Sequence, residues 1–231
     1  MNENSITSLL EEWEQTEKKR IMEQAVKVSK RFYHVYLPIM FVVIVGMLVG
    51  IGIMVEAPVK QILTMHVGIG VGLFAFNALI LMFVFSKSRL VKKLMKELRK
   101  EIDETLETEE DRLAFARDML ENGNHNMYTY RFYNNMLRVL FGKRFILQKD
   151  VTYYILIDTQ KVEGISVDRH SLGHGAGRTE NNYVVFHYPP SGKKSLIFDV
   201  DKKKMRFDGK GNRDDVFQKA QSTYNIPVIQ K

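Results

Sequence analysis

The segment Asp168-Arg-His-Ser-Leu-Gly-His-Gly-Ala-Gly-Arg-Thr179 concentrates residue types that do chemistry. Asp168, His170 and His174 offer the oxygen and nitrogen donors that divalent metals take, and the glycines could cradle a phosphate. The spacing argues against both. Histidines four residues apart come close enough to share a ligand on a helix, and so Gly-rich a segment forms helix poorly. The Walker spacing is absent, Arg178 stands where a lysine is required, and strand-like sequence follows instead of a helix. The pattern predicts a loop between strands, with no metal and no cofactor. No carboxylate pair or Ser/His/Asp set stands out elsewhere, so no reaction is assigned and the chain is read as non-enzymatic. The absence of cysteine excludes disulfides, a thiolate nucleophile and Cys-ligated zinc.

A second constellation is electrostatic. Lys193, Lys194, Lys202, Lys203, Lys204 and Arg206 lie near two expected turns. Gathered on one edge they could meet anionic lipid headgroups or an acidic partner. The plainer alternative is a solvated lysine edge that guards exposed strands against pairing.

The elements that would position these groups follow from periodicity. Thr108 is a good N-cap for a helix over 109–121, with Glu109, Glu110 and Asp111 in its first turn and Asn122-Gly123 as its stop. Tyr128, Tyr130 and Phe132 alternate with polar residues, and the stretch from there to Phe141 is ambiguous. Strands are expected over Arg144–Gln148, Val151–Ile157, Val162–Val167, Tyr183–Tyr188, Ser195–Val200 and Met205–Phe207, with a turn at Pro189-Pro-Ser-Gly192. A last helix is expected to begin near Asp214 and Asp215. The fold class is α+β, a small antiparallel sheet domain closed by a C-terminal helix.

That order resembles a bacterial pleckstrin-homology-like (PH-like) domain. Tyr154-Ile-Leu-Ile-Asp-Thr-Gln-Lys-Val-Glu-Gly-Ile-Ser-Val167, a strand, a short break and a second strand, carries the likeness, and Tyr224-Asn-Ile-Pro-Val-Ile229 after the helix is also similar. Such segments recur in uncharacterised bacterial two-span membrane proteins. The resemblance implies a curved sheet capped by the helix and a binding or scaffolding role, with a protein or lipid partner meeting residues 124–231.

The remainder of the chain is of a different kind. Phe32 to Val55 and Gln61 to Ser86 carry no formal charge, and only a short loop containing Glu56 and Lys60 separates them. At about 1.5 Å per residue each run is long enough as a helix to cross a ~30 Å hydrocarbon core. The sequence therefore predicts a transmembrane hairpin over 32–86, with spans 32–55 and 61–86. Lys18, Lys19, Arg20, Lys27, Lys30 and Arg31 precede it, and Lys87, Arg89, Lys92, Lys93, Lys96, Arg99 and Lys100 follow it. This bias puts the protein in the cell membrane with both termini in the cytoplasm. The net charge of +7 is mainly a signal of that topology, together with attraction to anionic lipid headgroups, and nucleic-acid binding is disfavoured.

Folded about residue 59, the hairpin sets Gly46 opposite Gly72 and Gly50 opposite Gly68. These glycines are the expected helix-packing positions, with Gly52 and Gly70 as additions. They could instead serve contacts between protomers of a homo-oligomer. Asn77 and His66 are polar residues within the second span; a transport reading makes them path-liners, and the alternative makes Asn77 a helix–helix hydrogen-bonding residue. Residues 1–31 are expected to form an amphipathic helix, 87–107 a helical stalk paired with it, and 108–231 the cytosolic domain. A helix lying flat on the membrane, anchored by Trp13, is the alternative for the N-terminal segment. The function expected is a membrane protein displaying a cytosolic binding module, with a scaffold, regulatory or sensor-like role. The second reading is a subunit of a transport or envelope-stress assembly that acts through its hairpin.

Overall fold

The computed structural model describes residues 3–84, 86–123, 125–132, 135–150, 153–172, 179–190 and 201–230. The chain divides into two compact units, Gln15–Met95 and Met1–Glu14 with Lys96–Lys231. Two helices pass through both: α1 (Glu3–Arg31) and α5 (Lys87–Thr105).

In the unit Gln15–Met95, α1 runs on through a π-helical turn, Phe32–Tyr36, into α2 (Leu37–Met54). Glu56 then adopts a left-handed conformation with φ of 53°. The Ala57 amide donates to the Gly52 carbonyl (3.0 Å) and the Glu56 amide to that of Ile53 (3.0 Å). Together these bonds satisfy carbonyls that the end of a helix leaves without partners. Pro58 opens the return, through α3 (Val59–Gln61) and a second π-helical turn, Ile62–His66, into α4 (Val67–Val84). Phe41 and Phe74 meet edge to face at 4.9 Å.

Leu9–Met54 and Val59–Met82 are long and apolar enough to cross a membrane, and only 6% and 11% of their most apolar windows are buried. The core helix of a soluble protein is mostly buried. Here Val42, Met47, Ile53, Phe76 and Leu79 point outward, each more than 60% exposed. Toward the polar ends of this unit, Ile21, Ala25 and Phe32 on the first helical segment and Val91 and Leu94 on α5 are buried. Ile21, Ala25, Val91 and Leu94 belong to the apolar stripes read from the sequence.

The other unit is the sheet domain. α6 (Glu109–Glu121) begins at the expected cap: the Thr108 hydroxyl accepts the Asp111 amide at 3.1 Å. It buries Phe115, Ala116 and Met119. Two antiparallel meanders follow among the described residues. The first is β1 (Met127–Phe132), β2 (Asn135–Phe141), β3 (Phe145–Lys149) and β4 (Tyr154–Asp158), paired in that order; the second is β5 (Gly164–Leu172), β6 (Thr179–His187) and β7 (Lys202–Phe207). The ambiguous stretch before Phe141 is thus strand β2. α7 (Lys210–Tyr224) closes the core and starts ahead of Asp214, because Gly209 and not an acidic residue is its N-cap.

Core residues from both sheets and α7 include Leu137, Phe141, Ile157, Val184, Phe186, Phe207 and Val216. Two tyrosines pin α7. The Tyr128 hydroxyl reaches Asn212 (3.1 Å) and Asp215 (2.8 Å), and the Tyr224 hydroxyl donates to the Gly142 carbonyl (2.7 Å). After α7 the chain runs parallel to β5: the Ile165 amide donates to the Pro227 carbonyl and the Ile229 amide to the Ile165 carbonyl.

Residues from the far ends of the sequence complete this unit. Trp13, 3% exposed, meets Phe115 edge-on at 4.7 Å, and Phe115 meets Phe145 at 5.5 Å. The Arg99 guanidinium makes two hydrogen bonds to the Glu14 carboxylate, at 2.7 and 3.3 Å. Trp13 is therefore a packing residue and not a membrane anchor. The boundary expected at 107/108 falls inside the unit, since Leu98, Ile102 and Leu106 are buried in it as well.

Candidate functional site

The described ends of the histidine-bearing segment are strand, and residues 173–178 lie outside the described residues. β5 extends to Leu172 and β6 starts at Thr179, with nine residue pairs in register from Gly164–His187 to Leu172–Thr179. His174 and Arg178 lie outside the described residues. Strand alternation puts Asp168 and His170 on one face of β5. The His170 Nε2 lies 3.1 Å from Asp168, and the Lys204 ammonium 3.2 Å from the same carboxylate oxygen. Tyr183 completes the cluster, with His170 against its ring edge at 5.7 Å and Lys204 over its face at 5.8 Å. Asp168 thus has a cation of the chain itself beside it, and among the described residues no three His, Asp or Glu are grouped to hold a metal.

The basic cluster does not stay together. Lys193 and Lys194 lie outside the described residues. Along β7, Lys202, Lys204 and Arg206 share one face, while Lys203, Met205 and Phe207 share the other. Lys204 is paired with Asp168 as above. Lys203 is half-buried and fully paired: its ammonium donates to Glu101 (2.6 Å), to the Thr105 hydroxyl (2.6 Å) and to the Leu156 carbonyl (3.0 Å). Glu101 also accepts the Leu156 amide at 2.9 Å. A Glu–Lys pair therefore supplies the acceptor and donor that a neighbouring strand would have offered to Leu156 on β4. It joins α5 to β4 and β7, the edge strands of the two sheets. Lys203 is thus removed from any headgroup surface, for lack of a free N–H.

The glycine positions also redistribute. A Cβ at Gly52 would meet Ile62 at 3.0 Å and the His66 ring at 3.4 Å; one at Gly70 would meet Leu48 at 3.2 Å and the Val45 backbone at 3.4 Å. At Gly46, Gly50, Gly68 and Gly72 a Cβ meets nothing within 4 Å among the described residues. The close approach between the two helices runs through Gly52 and Gly70, and the four expected positions face away from it. The π-helical turn at Ile62–His66 rotates the face that follows it, so a fold drawn symmetrically about residue 59 pairs the wrong sides. Asn77 donates to the Leu73 carbonyl of its own helix at 2.8 Å instead of bonding across helices.

The densest polar cluster was not singled out from sequence. The Asp118 carboxylate, at the end of α6, accepts the backbone amides of Lys143 (2.6 Å), Arg144 (2.9 Å) and Phe145 (3.1 Å), and the Asn122 side chain (3.0 Å). It fixes the turn between β2 and β3, where a Cβ at Gly142 would overlap it. Arg144 leaves that turn to bond Asp158 through Nε (2.9 Å) and a terminal nitrogen (2.6 Å), and reaches Asp111 at 2.5 Å. The Asp158 bonds hold Arg144 more firmly protonated than a free guanidinium; desolvation opposes this and Asp111 adds to it. Desolvation works to raise the Asp111 carboxyl, but hydrogen bonds from Arg144 and Thr108 outweigh it and leave the group below its ordinary range. The signal available in the sequence was weak, because acids at 111, 118 and 158 read as ordinary surface charges.

One further pair joins Ser166 to His187 Nε2 at 2.8 Å, with the serine 3% exposed. A hydroxyl so buried is a packing and hydrogen-bonding group, closed to a substrate. In each cluster the ionisable groups hold elements together. Comparison with protein-family models, with curated proteins and with solved structures finds no match.

Proposed function

We propose that this chain is an integral protein of the cell membrane, both termini cytoplasmic, whose hairpin carries a cytosolic binding module with a scaffold, regulatory or sensor-like role and no catalysis of its own. Two observations carry the reading together: the outward apolar surface of the hairpin, and a sheet domain with a well-packed core of its own. Removing such surface from water is worth roughly 25 cal/mol per Å², and lipid is the solvent that accepts it. The four-stranded and three-stranded meanders closed by a C-terminal helix support the PH-like resemblance, and with it a binding role toward protein or lipid. Carbonate-resistant sedimentation tests membrane insertion. For topology, Ala57→Cys should react with an impermeant maleimide in intact cells; labelling only after the membrane is breached reverses the orientation. Crosslinking and pull-down from native membrane should then capture a protein partner through residues 124–231.

A second reading, a subunit of a transport or envelope-stress assembly, is favoured by one observation. Gly46, Gly50, Gly68 and Gly72 face away from the hairpin seam, where small residues would let another span approach closely. Crosslinks mapping to those helix faces, and not to the sheet domain, would decide for it.

A further inference from the structure

We propose that the chain seats anionic phospholipid headgroups on a cationic collar formed by α1 and α5, and not on the lysines of β7. This rests on the membrane reading above. Within the hairpin unit Phe41 lies against Phe74, and the Gly70 Cβ position lies against Val45. Each step toward the N-terminus on one helix thus matches a step toward the C-terminus on the other. Lys27 and Lys30 precede the first of these helices, and Lys87, Lys92 and Lys93 follow the second. Lys27, Lys30, Lys87, Lys92 and Lys93 are exposed. None of the five is in an ion pair with another described residue. Residues 27–31 and 87–93 contain no Asp or Glu.

At about 1.5 Å per residue the collar is roughly 10 Å deep, close to one Debye length at physiological salt, so its charges act together. It lies where the apolar segments end: Phe32 follows Arg31, and α4 closes at Val84. With those segments in hydrocarbon, the collar is at headgroup height. Clusters of this size beside a span attract anionic lipid. The β7 face is a poorer candidate, since the Lys203 ammonium is paired with Glu101 and Lys204 is beside Asp168.

The test uses the full chain reconstituted into phosphatidylcholine vesicles doped with phosphatidylglycerol, then extracted in mild detergent and analysed for retained lipid. The expected result is severalfold enrichment of phosphatidylglycerol over its bulk fraction. High salt, and the K27Q/K30Q/K92Q/K93Q variant, should abolish that enrichment. The matching Lys→Arg variant and K202Q/K204Q should keep it. Absence of enrichment in the native chain overturns the proposal, as does enrichment that survives both high salt and the glutamine variant, or that is lost in K202Q/K204Q. A chain that leaves the membrane fraction on carbonate washing overturns the membrane reading itself.

Discussion

Replacing Asp118 with Asn removes one charge and almost no volume, yet it should destabilise the sheet domain nearly as much as Ala does. Both carboxylate oxygens are already committed as acceptors: one takes Lys143 and Asn122, the other Arg144 and Phe145. Whichever way the new amide turns, its NH2 meets at least one backbone N–H in a site where Asp118 is 7% exposed. A lost charge-assisted bond plus an unsatisfied donor amount to about 2–4 kcal/mol. At about 3 °C per kcal/mol for a unit of this size, Tm should fall by roughly 6–12 °C. Trp13 is the sole tryptophan, and it packs on Phe115 of the same α6 that carries Asp118. Its fluorescence reports this transition in the full chain, where circular dichroism would be dominated by the other helices. Gly142→Ala should act through the same carboxylate, since its Cβ displaces Asp118. A D118N protein that melts with the native one, while D118A does not, would refute the acceptor argument and leave only side-chain size.

Gly52→Leu and Gly70→Leu should weaken the hairpin by about 1 kcal/mol or more, while Gly46→Leu and Gly50→Leu leave it intact; cysteine crosslinking across the seam separates these outcomes, and equal effects would place the seam elsewhere. Lys203→Met should cost about 2–4 kcal/mol by leaving Glu101 without its cation, and should speed hydrogen exchange at the Leu156 amide; unchanged exchange would contradict the role given to the pair. Asp111 makes stability acid-sensitive: its carboxyl titrates below the unfolded value of 3.8, so its contribution is complete above that pH and is lost as pH falls through the lower folded value. Trp13-detected melts between pH 5 and pH 3 should show this loss in the native chain and less of it in Asp111→Asn.

Where local chemistry decides structure, the sequence was readable. Thr108 with three following acids announced α6 to the residue, and two uncharged runs announced the hairpin. β2 escaped because Val139, Leu140 and Phe141 are all buried, so its second half has no polar alternation to read. The start of α7 escaped because Lys210-Gly-Asn212 reads as a turn. The Glu101–Lys203 pair spans 102 residues, and no local pattern marks either partner. The glycine pairs misled for a geometric reason: GxxxG shows that a helix has a small-residue face, but only the turn and its π-helical segment determine which way that face points.

The Trp13–Phe115 and Glu14–Arg99 contacts impose a rule of parity. A packed hydrophobic cluster cannot straddle a bilayer, so residue 14 and residue 96 occupy one aqueous compartment. Any crossings between them must come in even number, whatever the surrounding charges favour. The Lys/Arg bias then decides only which compartment that is. An inverted molecule would have to carry the whole sheet domain across, and one that inserts a single span would have to leave Trp13 stranded from Phe115. On the membrane reading, the Trp13–Phe115 contact would form only where both apolar segments were threaded, and a red-shifted tryptophan spectrum would mark the molecules in which they were not.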